Sequence, residues 1–203
     1  MTIDAKDMLN SILKSISRID YIHPGDIPNI DLYMDQVTTF MDSQLASTKR
    51  YSEDKILTKT MINNYAKNNL LPPPVKKKYT KEHVLVLIFI YYFKNILSIK
   101  DIEILLKPIT DNVFSADGDL DLTVLYEEIC AMEKGQIEPL QEEIKKAYKQ
   151  AESTFESADT KDRDYLQLFS FICSLSFDVY VKKLLIEKII DGLPSSEEKS
   201  SKK

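Results

Sequence analysis

Polar side chains of the kinds that read base edges in DNA lie close together along one short segment. Thr58 is a good N-cap for a helix over residues 59–68, which would bury Ile62 and Ala66. The side chains left on its polar side are Lys59, Thr60, Asn63, Asn64 and Lys67. Asparagine can make a bidentate contact to adenine, and lysine can contact phosphate. This pattern predicts a recognition helix for double-stranded DNA, and the alternative is a short solvated connector helix.

A second cationic group follows this helix. The prolines at positions 72–74 form a stiff extended stretch, and they lead into Lys76, Lys77 and Lys78. Residues 47–107 hold 12 basic and 5 acidic side chains, net +7, whereas residues 108–192 hold 9 basic and 18 acidic, net −9. This segregation, in a chain of net charge −5, indicates a local anion-binding face, with chance clustering of lysines on a solvated surface as the alternative.

Other kinds of chemistry have no support in the sequence. Four glycines stand far apart, so neither a phosphate-binding P-loop nor a dinucleotide fingerprint is present. Two cysteines cannot form a disulfide framework or a four-cysteine zinc site, and neither His23 nor His83 has partners at metal-ligand spacing. No nucleophile, base and orienting group can be assembled. We therefore expect a protein that is not an enzyme and uses no cofactor or metal.

Apolar periodicity predicts an all-α protein. The expected helices cover residues 3–19, 31–45, 59–68, 81–96, 99 to Pro108, 122–135, 137–151 and 165–190. Ser98 with Asp101 forms a capping box for the fifth of these, and Pro108 is expected to end it. The predicted organisation is an N-terminal helix and linker (1–26), a helix-turn-helix domain (27–110), a C-terminal helical bundle (111–192) and a disordered tail (193–203).

The two last helices are the candidates for assembly. Residues from Ile137 to Ala151 form an apolar seam at three- and four-residue steps, and the segment from Tyr165 to Ile190 is apolar all round. The second segment is expected to be the buried centre of a bundle, and its aromatic residues fit core packing better than a small-molecule pocket. Because one short recognition helix contacts few base pairs, we expect a homodimer. The alternative is that the seam closes the chain's own bundle, and nothing indicates a small-molecule effector.

Membrane insertion and export are not expected. The longest apolar run, Val84 to Phe93, has ten residues, which is too short to cross a bilayer. The first residues include Asp4 and Asp7 and lack the order of a signal peptide. The sequence therefore predicts a soluble cytoplasmic protein.

The order of these motifs resembles two known families. Ile62 and Tyr65, Leu70-Leu71-Pro72-Pro73, the lysines at 76–78, Tyr79-Thr80-Lys81-Glu82 and the segment from Ser98 to Leu106 resemble the MerR-type winged helix-turn-helix. The segments IDLYMDQV, MINNY, PPVKKKYTKEH and LSIKDIEILL are similar to an uncharacterised bacterial family, domain of unknown function 1836 or YkrK-like. This resemblance is strong over residues 27–110 and is expected to continue more weakly to residue 190. The second family has no established biochemical activity, so this resemblance identifies a relative without supplying a function.

The MerR resemblance implies a role for each segment. It makes residues 58–68 the recognition helix, Lys76 to Lys78 the wing, and the later helices a dimerisation or effector part. Asn63 and Asn64 stand where that family has arginine and tyrosine, the wing lacks a glycine turn, and the connector before the recognition helix is a long polar stretch. The implied function is a transcriptional regulator that binds double-stranded DNA, and the alternative is a protein-protein interaction module of the same shape that does not bind DNA.

Overall fold

Helices dominate the computed structural model, which describes residues 5–16 and 21–194. The α-helices are α1 Ala5–Ile16, α2 Met34–Gln44, α3 Lys59–Lys67, α4 Lys81–Phe93, α5 Ile99–Val113, α6 Leu122–Lys134, α7 Ile137–Glu152 and α8 Thr160–Asp191. Two-residue strands β1 (Leu32–Tyr33) and β2 (Lys78–Tyr79) and a 3-10 turn (Ala46–Thr48) complete the described part. The all-α prediction is confirmed, with one short ribbon added. The ends of the predicted first helix and the predicted tail from residue 195 lie outside the described residues.

The chain divides into two compact units. Unit 1 consists of residues 22–128 and 186–194, and unit 2 consists of residues 5–16, 21 and 129–185. Helices α6 and α8 each contribute residues to both units. The predicted domain over residues 27–110 lies within unit 1.

Unit 1 is organised around α4. Nine consecutive residues, His83 through Tyr91, are buried, so this helix has no solvent-facing side over that stretch. Helix α6 packs on it through the ring of Tyr126, whose centre lies 5.6 Å from that of Phe89. A helix that is apolar all round is expected in the centre of a core, and α4 has that place. It ends at Phe93, three residues before the predicted end.

Ribbon pairing replaces the predicted first turn of the second helix. A helix was expected to begin at Asp31, but Leu32 pairs with Tyr79 and Tyr33 with Lys78 in an antiparallel ribbon, and α2 begins at Met34. The prediction of this helix start is wrong because the partner strand lies more than forty residues away in sequence. Local periodicity contains no information about such a partner.

Helix α5 also differs from its predicted extent. Ser98 accepts a hydrogen bond from the Asp101 backbone N–H (3.2 Å), as the capping box requires. The prediction that Pro108 ends the helix is wrong, because α5 continues to Val113. Leu106 before the proline and Thr110 after it are both buried, and the Thr110 hydroxyl donates to the Leu106 carbonyl (3.1 Å). Burial on both sides of the proline offsets the loss of one backbone hydrogen bond.

In unit 2, α1, α7 and α8 share a small apolar core. Leu9 and Leu13 of α1, Ala151 of α7 and Phe171 of α8 are its buried members. Ile144, Ala147, Tyr148, Leu168 and Leu175 pack against it. The predicted seam of α7 therefore contributes to the chain's own core, which was the alternative to a dimer seam, although Leu140 of the same seam is exposed.

Helix α8 differs most from its prediction. It was expected to be the buried centre of a bundle, but among residues 162–191 only Phe171 and Ile190 are buried. Tyr165 is 70% exposed and Phe177 is 68% exposed. The expectation is wrong because α1 and α7 cover only one side of the helix in unit 2. No helix in the described part of the chain has both the length and the apolar character that a membrane span requires.

Candidate nucleic-acid interface

Local signals at both ends define the short helix α3. The Thr58 hydroxyl accepts a hydrogen bond from the Met61 backbone N–H at 3.2 Å, which is the predicted N-cap. At the other end Asn69 has a φ of 56°, a left-handed conformation that asparagine tolerates after a helix. The chain then turns so that the Leu70 N–H donates to the Tyr65 carbonyl (2.9 Å). Leu70 and Leu71 are thereby buried directly after the helix.

The two sides of α3 have opposite environments. Ile62 and Tyr65 are buried, and burial raises the pKa of the Tyr65 phenol. The predicted polar residues are all exposed on the opposite side of the helix: Lys59, Thr60, Asn63, Asn64 and Lys67. Within residues 5–16 and 21–194, no hydrogen bond or ion pair engages the side chain of Asn63 or Asn64. Both amides are therefore available to an external partner.

Lys59 is the one member of this set with an intramolecular ion pair. Its ammonium contacts the carboxylate of Asp35, which lies in the first turn of α2. Both side chains are exposed, so the pair contributes little to stability. The contact places Lys59 at the junction of α2 and α3, and any phosphate that binds it must compete with Asp35.

The lysine turn, defined as residues Val75 to Lys78, follows the prolines. Its backbone closes through a hydrogen bond from the Lys78 N–H to the Val75 carbonyl (3.0 Å). Lys76 and Lys77 have φ angles of 52° and 65°, and two consecutive positive φ values are typical of a type I′ turn. Such turns usually contain asparagine or glycine, so the sequence lacked the signal for this one. Both lysine side chains are exposed at the tip.

Lys78 has a different environment from the other two lysines. It is half-buried, and its ammonium lies 5.5 Å from the centre of the Tyr33 ring, in a cation–π contact across the ribbon. Tyr33 also precedes α2, where its backbone N–H donates to the Gln36 side chain (2.8 Å). The ribbon therefore fixes the lysine turn relative to the start of α2.

The connector between α2 and α3 is held by residues that sequence reasoning missed. Lys94, at the end of α4, donates to the carbonyl of Ile56 (2.7 Å), and its ammonium lies 4.7 Å from the Tyr91 ring centre. The Tyr91 hydroxyl lies 2.5 Å from the Thr48 hydroxyl in the 3-10 turn. Burial lowers the pKa of Lys94. The only sequence signal was a lysine directly after a long apolar run.

His83 is a structural residue of the first turn of α4. It is 2% exposed, and its Nδ1 accepts a hydrogen bond from the Thr80 backbone N–H at 3.1 Å. Burial lowers the pKa of the ring, against the opposing influence of the Pro73 carbonyl and the Glu82 and Asp31 carboxylates. The ring completes a capping box immediately after β2. No group of three histidine, cysteine or acidic side chains suited to a metal ion occurs among the described residues.

Comparison with known proteins assigns a family to the chain and no activity. No curated protein and no solved structure matches it. A family model described as a domain of unknown function, DUF1836, matches residues 22–129, which is more than half of the 203 residues. This segment contains the ribbon, α3 and the lysine turn. The chain belongs to the DUF1836 family of domains of unknown function.

Proposed function

We propose that unit 1 binds double-stranded DNA and that the protein is a transcriptional regulator. In this proposal α3 enters the major groove as the recognition helix of a MerR-like winged helix-turn-helix, and the lysine turn is the wing. The chemistry is binding alone. The region is the most basic part of the chain, with net charge +7 over residues 47–107.

The exposed polar side of α3 is the observation that carries this proposal. Packing accounts for Ile62 and Tyr65 on the opposite side, but it gives no reason for two neighbouring asparagines with unengaged amides. An asparagine on a helix in the major groove can pair with the N6 and N7 atoms of adenine. Asn63 and Asn64 therefore supply base reading, and Thr60 and Lys67 flank them on the same side.

The lysine turn supports phosphate binding. A left-handed backbone costs an ordinary L-residue about 1–2 kcal/mol, and two lysines adopt it in succession here. Glycine would form the same turn without this cost. Lysines at the tip of a strained turn indicate that their charge is needed there.

The contacts of each candidate lysine within unit 1 indicate how much it can contribute to DNA affinity. Lys67, Lys76 and Lys77 are exposed, and we expect each of them to contact a phosphate. Lys59 must exchange Asp35 for a phosphate, and Lys78 already lies against the Tyr33 ring. We therefore expect the last two to contribute less to DNA affinity.

DNA retrieval by the full chain tests this function. The protein should enrich a sequence motif from random duplex DNA at about 50 mM salt, and log affinity should fall with log salt by about 0.9 for each phosphate contacted. Lys77→Glu should weaken binding to every duplex, whereas Lys100→Glu, at an exposed lysine of α5, should have little effect. Failure to retrieve DNA above background would remove the proposal.

Base reading needs a separate measurement. Asn63→Ala should reduce the preference for the selected site over bulk DNA by about 1–3 kcal/mol and should leave bulk binding unchanged. Thr58 provides a contrast, because Thr58→Ala should destabilise α3 and weaken binding to all sequences. If Asn63→Ala weakens all sequences equally, the residue contacts only the backbone of DNA.

A protein-protein interaction module is the second candidate function. It is favoured by the apolar residues that flank the lysine turn, since Val75 is 67% exposed and Tyr33 is 54% exposed. In this case Val75→Ser should abolish partner capture, whereas Asn63→Ala should not change it. If the protein instead binds DNA, Asn63→Ala should change binding to the selected site and Val75→Ser should not.

A further inference from the structure

The exposed side of α8 contains apolar residues that DNA binding does not use. Its central residues recur at three- and four-residue steps: Tyr165, Phe169, Ile172, Ser176 and Tyr180. We name these five residues the α8 stripe, and all of them are exposed. Leu168, Phe171 and Leu175, on another side of the same helix, already pack into the core of unit 2. Within unit 2 the stripe is therefore an exposed apolar surface, separate from that core.

The stripe exposes a large aromatic area. Tyr165, Phe169 and Tyr180 each keep between 52% and 70% of their surface exposed. An aromatic side chain buries roughly 150–250 Å² when it is covered, so these three expose roughly 270–450 Å² together. With the half-exposed Ile172, the stripe supplies about half of the roughly 800 Å² that each partner buries in a stable complex.

We propose that this surface is covered by α8 of a second copy of the chain, packed antiparallel. The inference goes beyond DNA binding and depends on the α8 surface alone. The three- and four-residue spacing of the stripe is the spacing that pairs two helices side by side. Ser176, near the middle of the stripe, leaves room for the close approach of a second helix.

Charge selects the antiparallel direction. Asp162 and Asp164 lie at the beginning of α8, and Lys182 and Lys183 lie about five turns later. Lys182 also forms an exposed ion pair with Asp178 of its own helix, which an aspartate of the second copy would share. A parallel pair would place acid beside acid and lysine beside lysine. A two-fold axis near residue 174 instead places Tyr165 opposite Lys183 of the second copy, and both aspartates lie within a turn of its lysine pair. Complementary charges at both ends fix the register and direction of such a pair.

The same register gives Cys173 a diagnostic position. Cys173 is exposed and lies beside the stripe, between Ile172 and Ser176. In an antiparallel pair centred near residue 174, the two copies of Cys173 differ in height along the helix by only about 3 Å. They flank the interface on the same side, within reach of a short bifunctional maleimide.

Molecular mass measured by light scattering is the first test. Without DNA, the full chain at tens of micromolar should have about twice its 23.4 kDa mass. Phe169→Glu should give a folded species of half that mass, with folding checked by circular dichroism. Met132→Glu, at a 59% exposed residue of α6, is the matched control and should remain dimeric. A monomeric wild type, or a Phe169→Glu variant that remains dimeric, would overturn the proposal.

Cross-linking is the second test, and it reports direction. In Cys130→Ser the remaining Cys173 should give a cross-linked dimer. In a Cys130→Ser/Cys173→Ser background, Tyr165→Cys mixed with Lys183→Cys should cross-link. Tyr165→Cys alone should not, because its two copies would lie about 27 Å apart. Self-linking of Tyr165→Cys would indicate a parallel pair, and a monomer whose Cys173 resists alkylation would indicate cover from the same chain; both contradict the proposal.

Discussion

Helices α4 and α8 lie in opposite environments, although neither confines its apolar residues to one side. Both have apolar residues all round, and yet α4 is buried from His83 to Tyr91, whereas α8 is buried only at Phe171 and Ile190 among its residues 162–191. Helix α5 and strand β2 contact α4, and Tyr126 of α6 packs against its Phe89. In unit 2, α1 and α7 cover one side of α8. An apolar helix requires cover, but its own sequence does not specify which element supplies it.

The polar groups of the two helices differ in the same way. His83 and Lys94, at opposite ends of α4, both have a pKa lowered by burial. Lys182 of α8 is exposed, and a hydrogen bond to Asp178 raises its pKa. Burial disfavours the charged form of a basic group, so the pKa directions agree with the exposures. The two helices therefore differ in the exposure of their charged groups to water as well as in their packing contacts.

Matched isoleucine truncations should show the largest difference between these helices. Ile88 of α4 is fully buried and Ile172 of α8 is 52% exposed. We expect Ile88→Ala to lower the free energy of unfolding by about 2–5 kcal/mol, because it leaves a cavity in a closed core. Ile172→Ala should cost less than about 0.5 kcal/mol in the monomer. Urea titrations of both variants measure these values.

Protein concentration extends this comparison. If α8 pairs with a second copy, the cost of Ile172→Ala should grow as the concentration is raised, whereas the cost of Ile88→Ala should stay constant. Equal costs for the two variants at low concentration would mean that α8 is buried within the chain. That result would contradict the exposed surface on which the dimer proposal depends.

Much of the candidate site could be predicted from local sequence. Thr58 as an N-cap, the buried Ile62, the exposed asparagines and the Ser98 capping box all depend on neighbours within a few residues. Residue type and helical spacing determine interactions of this kind, so they can be predicted from a single sequence. The helical class follows from the same information.

The features that were missed depend on distant partners or on strain. The pairing of Leu32 with Tyr79 and the hydrogen bond from Lys94 to Ile56 join residues far apart in the sequence. Helix α5 continues through Pro108 because burial on both sides outweighs the local cost. The lysine turn adopts a conformation that its residue types disfavour. Local preferences alone give the wrong answer at each of these positions.

A matched pair of lysine changes should give an intermediate effect. Lys94→Met keeps an apolar stem at the end of α4 but removes the donor to the Ile56 carbonyl, so we expect a loss of about 1–3 kcal/mol in unfolding free energy. Lys182→Met removes only an exposed pair with Asp178 and should cost less than about 0.5 kcal/mol. Thermal unfolding of both variants measures this. Lys94→Met should also weaken DNA binding through the loosened connector, and equal stabilities of the two variants would mean that the Lys94 contact contributes nothing.

The smallest effect is confined to acidic pH and concerns His83. Because burial lowers the pKa of the folded ring below its ordinary value of 6.5, the unfolded chain binds the proton more readily. The stabilisation should be complete above about pH 6.5 and should decrease as the pH falls toward the folded pKa.

Urea midpoints at about pH 7.5 and about pH 5.5 measure the change. His83→Gln, whose amide oxygen can still accept from the Thr80 N–H, should lose this part of the pH dependence, whereas His23→Gln, at an exposed histidine, should keep it. A wild-type pH dependence in His83→Gln would show that carboxylates, and not the buried cap of α4, determine stability in acid.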